Sequence, residues 1–550
     1  MQRRLLLDGL AAAVAATAAL PAFGHTPPAL QPDLRRLQAH LRFLADPLLE
    51  GREAGTRGFD LAAAYVASQF AQLGLQPLGD AGGYAQAVPL KTGRLAATPP
   101  LLALCRGDAC EHLAYLDEFS ARPDLGATRR EVNAPLVFAG YGIRAPAFGL
   151  NDYAGLDVTG RIVVLLSGRP PALPAEEGAH YGNGRTKAEL AASLGAVGVL
   201  TLATPRSEIT APFHTARQYA DSVAMDWETP DGRGGNDIPG LLGTATLSVQ
   251  AAPRLLAGTA ADYAQLVADA EAGRPLPRGE LGLSARLVRE TVHGQARSHN
   301  VIGRIEGRHP ARKHEHIVLS AHLDHLGKKT GPQGDVVYPG AMDNAIGVAT
   351  LLETARLLQA GPRPDRSILV IALTGEEKGQ LGSSYFTRHP TVPAASLVAA
   401  LNIDMPILLH DFSEVVAIGG EHSTLAAAVT HAARGLGLKR VPDPMPEQSR
   451  FTRSDQYSFV KRGIPSLILG PGGGSFKAGE DGDALIRDFR RQRYHQPGDD
   501  LGQPFHWGAV LRLVQLQRDV MLAMARQPQR PAWLPGDFFG QLFGPRAQSR

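Results

Sequence analysis

The sequence predicts an α/β protein whose main sheet is mixed but largely parallel, with helices on both faces and a separate, smaller β-rich module before it. Three observations support this prediction. The 550 residues exceed what one hydrophobic core usually spans, so two or more domains are expected. From about residue 298, continuous apolar runs alternate with helical patterns. Between about residues 132 and 277, short β-like runs are separated by turns rich in glycine and proline.

The main sheet is predicted from four apolar runs, each long enough for one buried strand. They cover residues 317–320, 367–373, 397–401 and 466–469. A helix is expected over residues 346–358, which Gly361 and Pro362 bring to an end. Continuous apolar strands that alternate with helices are typical of a parallel sheet buried on both faces.

Further elements are expected before the main sheet. Apolar residues recur at helical spacing and end at Gly74; they are Phe59, Ala62, Val66, Phe70 and Leu73. In the middle module, β-like runs cover residues 134–141, 161–167 and 195–204, and a helix is expected at 187–194. No set of His, Asp and Glu residues converges in this module, so its sequence indicates no chemistry of its own.

The first residues have the layout of a bacterial secretory signal. Two arginines precede an apolar run over residues 5–19, and small residues follow it. The run is short, contains Asp8 and is followed by Pro21, which favours cleavage over the alternative of a retained membrane anchor. We therefore expect residues 1–24 to be removed and the protein to be exported, periplasmic or secreted, by the general secretory or the twin-arginine route.

Composition excludes several classes of partner. The formal charge of +3 is close to neutral for this length, and no dense basic stripe suggests nucleic acid. After the signal, no stretch approaches a membrane span, so no stable membrane insertion is expected. The only cysteines, Cys105 and Cys110, are too few for a cysteine metal site. In an oxidising compartment they can form a disulfide, with two free thiols as the alternative.

Side chains that bind metals follow the predicted strands of the main sheet. In open α/β sheets ligands bind beyond the carboxyl ends of the strands, so we expect these side chains to meet. They are His322 and Asp324 after the first run, Glu376 and Glu377 after the second, Asp404 after the third, Asp343 in the loop before the helix, and Tyr494 and His495 after a polar, glycine-rich loop.

Taken singly, each of these residues has an ordinary structural explanation. A lone histidine after a strand is usually a hydrogen-bonded surface residue, a pair of adjacent glutamates is usually solvated, and an aspartate at a helix start is usually an N-cap. Their coincidence at the strand ends of one sheet favours a binding site. Two imidazoles and three carboxylates suit a pair of divalent cations that share one carboxylate.

The spacing of two pairs adds detail. His322 and Asp324 are two residues apart on an extended segment, so their side chains leave the same face, and Asp324 can accept the second ring N–H of His322. Glu376 and Glu377 are adjacent and point in different directions. One of them can therefore bind metal while the other stays free as a base.

Five segments occur in one order along the chain. They are Ser-Ala-His322-Leu-Asp324-His, Gly-Ala-Met-Asp343-Asn-Ala-Ile-Gly, Thr-Gly-Glu376-Glu377-Lys-Gly-Gln-Leu-Gly-Ser, Asn-Ile-Asp404-Met and Tyr494-His495-Gln-Pro-Gly-Asp. Together they resemble peptidase family M28, the co-catalytic zinc aminopeptidases. Residues 49–58 are similar to the N-terminal segment of that family. Residues 151–165 resemble the protease-associated (PA) domain that is often inserted in it.

The resemblance implies a role for each candidate residue. Asp343 would bridge two divalent cations, most simply Zn²⁺. His322 and Asp404 would complete one site, and Glu377 and His495 the other. The remaining roles are those of Glu376 as general base, Tyr494 as the group that stabilises the oxyanion, and Asp324 as the residue that orients His322.

Gln456 and His325 lie near these segments and are not among the expected ligands. The family often has Ser-Asp-His where this chain has Ser454-Asp455-Gln456, so pocket details differ, although Gln456 is not among the five expected ligands. His325 is an extra imidazole beside the first segment, and we expect it to have a structural role.

The resemblance also implies a domain organisation and an activity. The expected parts are a signal at 1–24, the N-terminal part of the peptidase domain at 30–131, a PA-like inserted domain at 132–285, the catalytic domain at 286–527 and a C-terminal tail at 528–550. The implied activity is the release of N-terminal residues from peptide substrates by a metal-activated water. The alternatives are a carboxypeptidase of the same fold (with Arg450 or Arg453 binding the substrate carboxylate), a glutaminyl cyclase-like enzyme and a catalytically inactive binding protein. The presence of all five ligands and the base disfavours the last.

Overall fold

A single strand, Gly279–Ile305, belongs to both of the large sheets in the described part of the chain and is called the long strand below. The computed structural model describes residues 30–257, 262–331 and 334–545, so the signal expected at 1–24 lies outside it. Residues 279–290 of the long strand pair with the second sheet, and residues 291–305 pair with the first. The two sheets are therefore joined through continuous backbone.

The first sheet contains the four strands that were predicted from apolar runs, and all four run parallel. They are His316–His322, Ser367–Leu373, Leu397–Ile403 and Ser466–Pro471. Besides the long strand, the other members are Gln76–Pro77, Ala85–Leu95, Ala224–Trp227, Glu414–Ile418 and Lys439–Val441. Several of these pair antiparallel, so the sheet is mixed, as predicted.

Helices cover both faces of the first sheet. In the strand His316–His322, Ile317 and Leu319 pack in one core, whereas Val318 packs in the core on the opposite face. The larger core also holds helices Leu34–Leu44, Arg57–Gln72, Ile346–Ala360, Leu425–Gly435, Gly482–Gln492 and Trp507–Arg526. The smaller core holds helices Leu381–Arg388 and Gln456–Val460. The prediction of a sheet buried on both faces is confirmed.

The N-terminal helix predicted from its apolar spacing is Arg57–Gln72. It buries Phe59, Val66 and Phe70, and the hydroxyl of Thr56 accepts a hydrogen bond from the Phe59 amide at its start. Gly74, which follows the helix, has a φ of 71°, a value that suits a residue without a Cβ. The sequence pattern therefore identified both the buried face and the end of this helix.

The second sheet is built around three parallel strands, Ile162–Leu166, Gly198–Leu202 and Gly243–Leu247. Its other members are Leu101–Arg106, Ala109–Leu113, Phe119–Ser120, Arg129–Phe138 and the first part of the long strand. The helices of this region are Ala175–Gly182, Gly184–Ser193, Pro205–Thr210, Ala216–Tyr219, Ala252–Leu256 and Tyr263–Glu271. The second sheet thus begins before residue 132, and position 285 lies inside the long strand.

Cys105 and Cys110 form a disulfide, as predicted. They lie opposite each other on the paired strands Leu101–Arg106 and Ala109–Leu113. Because these strands belong to the second sheet, the disulfide closes a hairpin of that domain.

The C-terminal residues 528–545 pack against the rest of the protein. Their helix, Phe538–Phe543, buries Phe539 completely in a core that also contains Ala179, Phe451 and Tyr457. The segment expected as a tail thus contacts both the second-sheet region and the first-sheet region. Within the described ranges, no helix is both long and apolar enough to cross a membrane.

Candidate metal centre

Three parallel strands of the first sheet end at one edge, and the predicted ligands follow them. His322 is the last residue of its strand and is in register with Leu373, three residues before Glu376. The third strand, Leu397–Ile403, lies on the other side, and Asp404 follows it directly. Asp343 comes from the segment Ala341–Ala345, which leads into the helix Ile346–Ala360.

His322, Asp343 and Asp404 form the first ligand trio. The Nε2 atom of His322 lies 3.2 Å from Oδ1 of Asp343 and 3.2 Å from Oδ1 of Asp404. Tetrahedral zinc with bonds of 2.0–2.1 Å would separate neighbouring ligand atoms by about 3.3 Å. The three side chains are therefore spaced as ligands of one cation.

Glu377, His495 and again Asp343 form the second trio. The Nε2 atom of His495 lies 3.1 Å from Oε2 of Glu377 and 3.3 Å from Oδ2 of Asp343. Asp343 thus presents Oδ1 to the first trio and Oδ2 to the second. A carboxylate whose two oxygens face two ligand sets has the arrangement of a bridging ligand.

His325 contacts the second trio. Its Nδ1 lies 2.8 Å from Oε1 of Glu377, the carboxylate oxygen that does not face His495, and 4.0 Å from Oδ2 of Asp343. With Asp343 and Glu377, it makes a group that could also hold a metal. The ring is fully buried, so its contact with Oε1 fixes the direction in which Glu377 presents Oε2.

The electrostatics of both trios favour positive charge. Burial opposes a charged ring at His322, but the carboxylates of Asp404 and Asp343 outweigh it and raise the pKa of His322 well above its usual value. In the same way, Glu377 and Asp343 raise the pKa of His495 despite its burial. The two trios together contain three carboxylates and two imidazoles, so negative charge is in excess. Each trio directs nitrogen and oxygen donors to one point, and this donor set fits two divalent cations.

The two adjacent glutamates differ in acidity. Burial raises the pKa of Glu376 well above its usual value, and the nearby carboxylates of Asp404 and Glu377 add to this shift against the effect of His322. Glu377 is equally buried, but His495 and His325 hold its pKa at about 2. The two glutamates therefore differ in their surroundings, and the assignment of Glu377 as ligand and Glu376 as base stays a prediction.

Asp324 does not make the hydrogen bond that its spacing predicted. Its carboxylate is 3.9 Å from Nδ1 of His322, too far for a hydrogen bond, and that nitrogen lies instead 3.1 Å from the carbonyl oxygen of Asp324. The carboxylate accepts hydrogen bonds from the amides of Glu376 and Glu377 at 3.1 and 3.2 Å. These amides turn the side chain towards the neighbouring strand, so Asp324 positions both glutamates. Burial raises its pKa to about 6.

Tyr494 lies beside the second trio. Its ring stacks on that of His495 at a centroid distance of 3.8 Å, and its hydroxyl accepts a hydrogen bond from Nη2 of Arg453 at 3.2 Å. Burial raises the pKa of Tyr494, so the hydroxyl keeps its proton at neutral pH. The group can therefore donate a hydrogen bond to a developing oxyanion. Arg450, the other arginine considered as a carboxylate-binding group, pairs with Asp443.

Gln456 is not placed as a ligand. It is buried, and its side-chain amide donates to the carbonyl of Phe451. The preceding Asp455 is fully buried next to the centre, and burial raises its pKa to about 7. The departure at residues 454–456 thus alters the surroundings of the two trios and leaves their membership intact.

Arg52 and Asp499 support the centre and were not identified from the sequence. The buried guanidinium of Arg52 donates to the carbonyls of Leu323, Pro339 and Gly340, which flank His322 and Asp343. The carboxylate of Asp499 accepts from the amides of Met342 and Asp343 at 2.8 and 3.0 Å. Both residues lie inside segments on which the family resemblance rests.

Tyr219 also was not predicted, and it comes from the second-sheet region. Its hydroxyl lies 2.8 Å from Nδ1 of His495, the ring nitrogen that faces away from the second trio. Lys329 holds this segment through a hydrogen bond to the carbonyl of Gln218 and through its ammonium group, 4.8 Å from the centroid of the Tyr219 ring. The helix Ala216–Tyr219 therefore reaches the candidate metal centre.

The part of the chain that carries this geometry matches a known protein family. Residues 300–521 match the model of peptidase family M28. These residues form an M28 domain. All eight candidate residues, from His322 to His495, lie within the M28 domain.

Curated relatives match parts of the chain. A probable zinc metalloprotease of Pyrenophora tritici-repentis is 41% identical over 73 residues, which are 13% of this chain and 16% of the fungal protein. The chain thus spans less than a fifth of that relative. Glutaminyl-peptide cyclotransferase of Bos taurus is 28% identical over 221 residues, covering 33% of this chain and 59% of the bovine protein.

A solved structure extends the likeness beyond the M28 domain. An aminopeptidase from Aneurinibacillus sp. strain AM-1 superposes with a TM-score of 0.51 at 19% sequence identity, covering 91% of this chain and 96% of that one. At this level of identity the likeness concerns the fold. It includes the second-sheet region as well as the M28 domain.

Proposed function

We propose that this protein is an aminopeptidase that releases N-terminal residues from peptides with two divalent cations of the zinc type. The observation that carries the proposal is the placement of Asp343, whose two oxygens face two different ligand trios. Glu376 lies at the same strand end but outside both trios. A pair of metal sites with an adjacent free carboxylate is an arrangement suited to hydrolysis.

The mechanism assigns a role to each group around the scissile bond. Two bound cations would lower the pKa of a water and polarise the substrate carbonyl. Glu376 takes a proton from the attacking water and passes it to the leaving amine. The Tyr494 hydroxyl donates a hydrogen bond to the oxyanion, and Arg453 holds that hydroxyl in place.

The charge of the site indicates which end of a peptide it binds. The carboxyl groups of Glu376, Asp404 and Asp455 influence one another electrostatically, so they lie close together. A protonated α-amine can pair with such a group, whereas a C-terminal carboxylate would be repelled. Arg453 was considered as a group that binds a substrate carboxylate. In the structure its guanidinium donates a hydrogen bond to the Tyr494 hydroxyl instead.

Three versions of one peptide test the proposal: free, N-acetylated and C-terminally amidated. Acetylation removes the amine charge and adds bulk, so we expect it to slow cleavage roughly a hundredfold, whereas amidation should change little. Glu376→Gln protein, purified in the same way as the parent, controls for contaminating peptidases. If the amide blocks cleavage and the acetyl group does not, the protein is a carboxypeptidase. If neither cap matters, it is an endopeptidase.

We also propose that the protein is exported and that its second-sheet region is a PA-type module bordering the cleft. The disulfide supports export, because such bonds persist in oxidising compartments. The contact between Tyr219 and His495 supports a position beside the cleft. Sequencing the N-terminus of the mature protein from fractionated cells tests the first part. A cytoplasmic protein that retains residues 1–24 would disprove export.

A further inference from the structure

A second group of potential metal ligands lies where three regions of the protein meet. Glu176 and Glu177 come from the first turn of the helix Ala175–Gly182, in the second-sheet region. His422 ends the short helix Gly420–His422 in the M28 domain. One ligand atom from each of the three side chains lies within 4.8 Å of the other two. None of them belongs to the candidate metal centre described above.

The His422 ring is held in the manner of a metal ligand. Its Nδ1 lies 2.6 Å from Oδ2 of Asp537, in the C-terminal segment. Since a carboxylate can only accept, this contact places a proton on Nδ1 and leaves Nε2 for a ligand. Nε2 is buried and has no hydrogen-bond partner among the described residues, and the residue is only 8% exposed. A buried nitrogen without a partner is costly, so it indicates a group that the protein chain does not supply.

The charge around His422 is negative. Glu176, Glu177 and Asp537 contribute three carboxylates, and within the described part of the chain neither glutamate forms an ion pair with lysine or arginine. Glu421 is nearby, but Arg440 neutralises it at 2.6 Å. Arg169 approaches the glutamates, but it donates to Ser449 and to the carbonyl of Pro446. Among the described residues, no lysine or arginine therefore forms a salt bridge with Glu176, Glu177 or Asp537.

We propose that Glu176, Glu177 and His422 bind one divalent cation, separate from the two of the candidate metal centre. One imidazole and two carboxylates are a suitable ligand set for zinc, with water completing the coordination. The ion joins the second-sheet region to the M28 domain, and Asp537 adds the C-terminal segment through His422. Its role is structural, because it fixes how the helix Ala175–Gly182 docks beside the apolar core around Phe539.

Metal content per chain tests this site. Full-length protein is stripped with a chelator, reloaded with Zn²⁺, desalted and analysed for zinc. The double variant Glu176→Gln, Glu177→Gln keeps side-chain shape while removing charge, and it should bind one ion fewer than the parent. His422→Ala should also lose one ion. Glu421→Gln is the matched control, because this neighbouring glutamate is outside the group and should leave the count unchanged.

Thermal unfolding supplies a second readout. Zn²⁺ should raise the midpoint of the stripped parent by more than that of the double variant, since the lost ion would otherwise stabilise the docked domains. Equal zinc content in the parent and both variants would overturn the proposal. It would mean that His422 carries a proton between the carboxylates in place of a metal. The test measures a difference of one ion between the parent and each variant. Its result therefore does not depend on how many ions the candidate metal centre binds.

Discussion

The two large sheets of this protein both contain parallel strands but differ at the ends of those strands. In the M28 domain, parallel strands end at His322, shortly before Glu376, and directly before Asp404. In the second sheet, the parallel strands Ile162–Leu166 and Gly198–Leu202 are just as apolar and are followed by Ser167 and Ala203. Parallel strands with buried faces therefore do not create a site by themselves. The residues that follow the strands, together with Asp343 and His495 from segments outside the strands, do.

This comparison predicts that the two regions respond differently to substitution. Changes at the strand ends of the M28 domain should remove activity or metal while the protein stays folded. Changes in the second-sheet region should alter stability or weaken the metal centre from outside. Four experiments, in order of expected effect, examine this division.

The largest effect is expected for Glu376→Gln. Loss of the general base should lower turnover at least a hundredfold, by roughly the 10²–10⁴ that such groups contribute. Metal content should not change, because Glu376 is outside both trios. Turnover of an aminoacyl chromogenic substrate and zinc analysis of the same sample measure both. Activity above roughly a hundredth of the parent's would contradict the assigned role.

Asp343→Ala should cost the candidate centre both of its ions. The reason is that Oδ1 faces His322 and Oδ2 faces His495. Asp404→Ala is the matched control, since this carboxylate belongs to one trio and should cost one ion. Zinc per chain, counted relative to the parent, distinguishes them. An Asp343→Ala protein that loses a single ion would argue against bridging.

Tyr219→Phe tests whether the second-sheet region influences the metal centre. Removing the hydroxyl frees Nδ1 of His495, and the loss of such a contact typically weakens metal affinity 10–100-fold. We expect this loss at the trio of His495 and no change at that of His322, measured by competition with a chelator. Tyr338→Phe is the control, because its ring also lies beside Lys329 but makes no described contact with His495. Equal affinities in both variants would show that the two regions are independent.

The smallest effect is expected for the disulfide. Replacing Cys105 and Cys110 by serine should lower stability by about 2 kcal/mol, the value for a loop this short, and leave kcat/KM unchanged. Thermal unfolding of the variant, and of the parent with reductant, measures the difference. Intact mass after thiol labelling is the direct check. Two labelled thiols in native protein would rule out the bond.

The sequence predicted the first sheet and the meeting of its candidate ligands because both depend on local patterns. Four apolar runs became four parallel strands, since such runs bury both faces of a sheet. His322, Glu377 and Asp404 follow from those strands, because parallel strands bring their carboxyl ends to one edge. Asp343 and His495 lie outside the strands of the same region, and the family resemblance assigned a role to each of them.

The remainder depends on contacts between residues far apart in the chain. Tyr219 and His495 are separated by 276 positions, and no periodicity connects them. Arg52 donates to the carbonyl of Leu323, which is 271 positions further along the chain, so no local pattern connects these two residues either. For Asp324, the spacing predicted a hydrogen bond to His322, but its carboxylate accepts from the amides of Glu376 and Glu377 instead.

The long strand Gly279–Ile305 has a consequence for how the chain folds. It completes the first sheet by pairing with Ala85–Leu95, and it completes the second by pairing with Arg129–Phe138. Both partners precede it in the chain, so neither pairing can form until residues 279–305 have been synthesised. Because the long strand is continuous, loss of its pairing in one sheet also weakens its pairing in the other. The two regions should therefore melt together, as one cooperative unit.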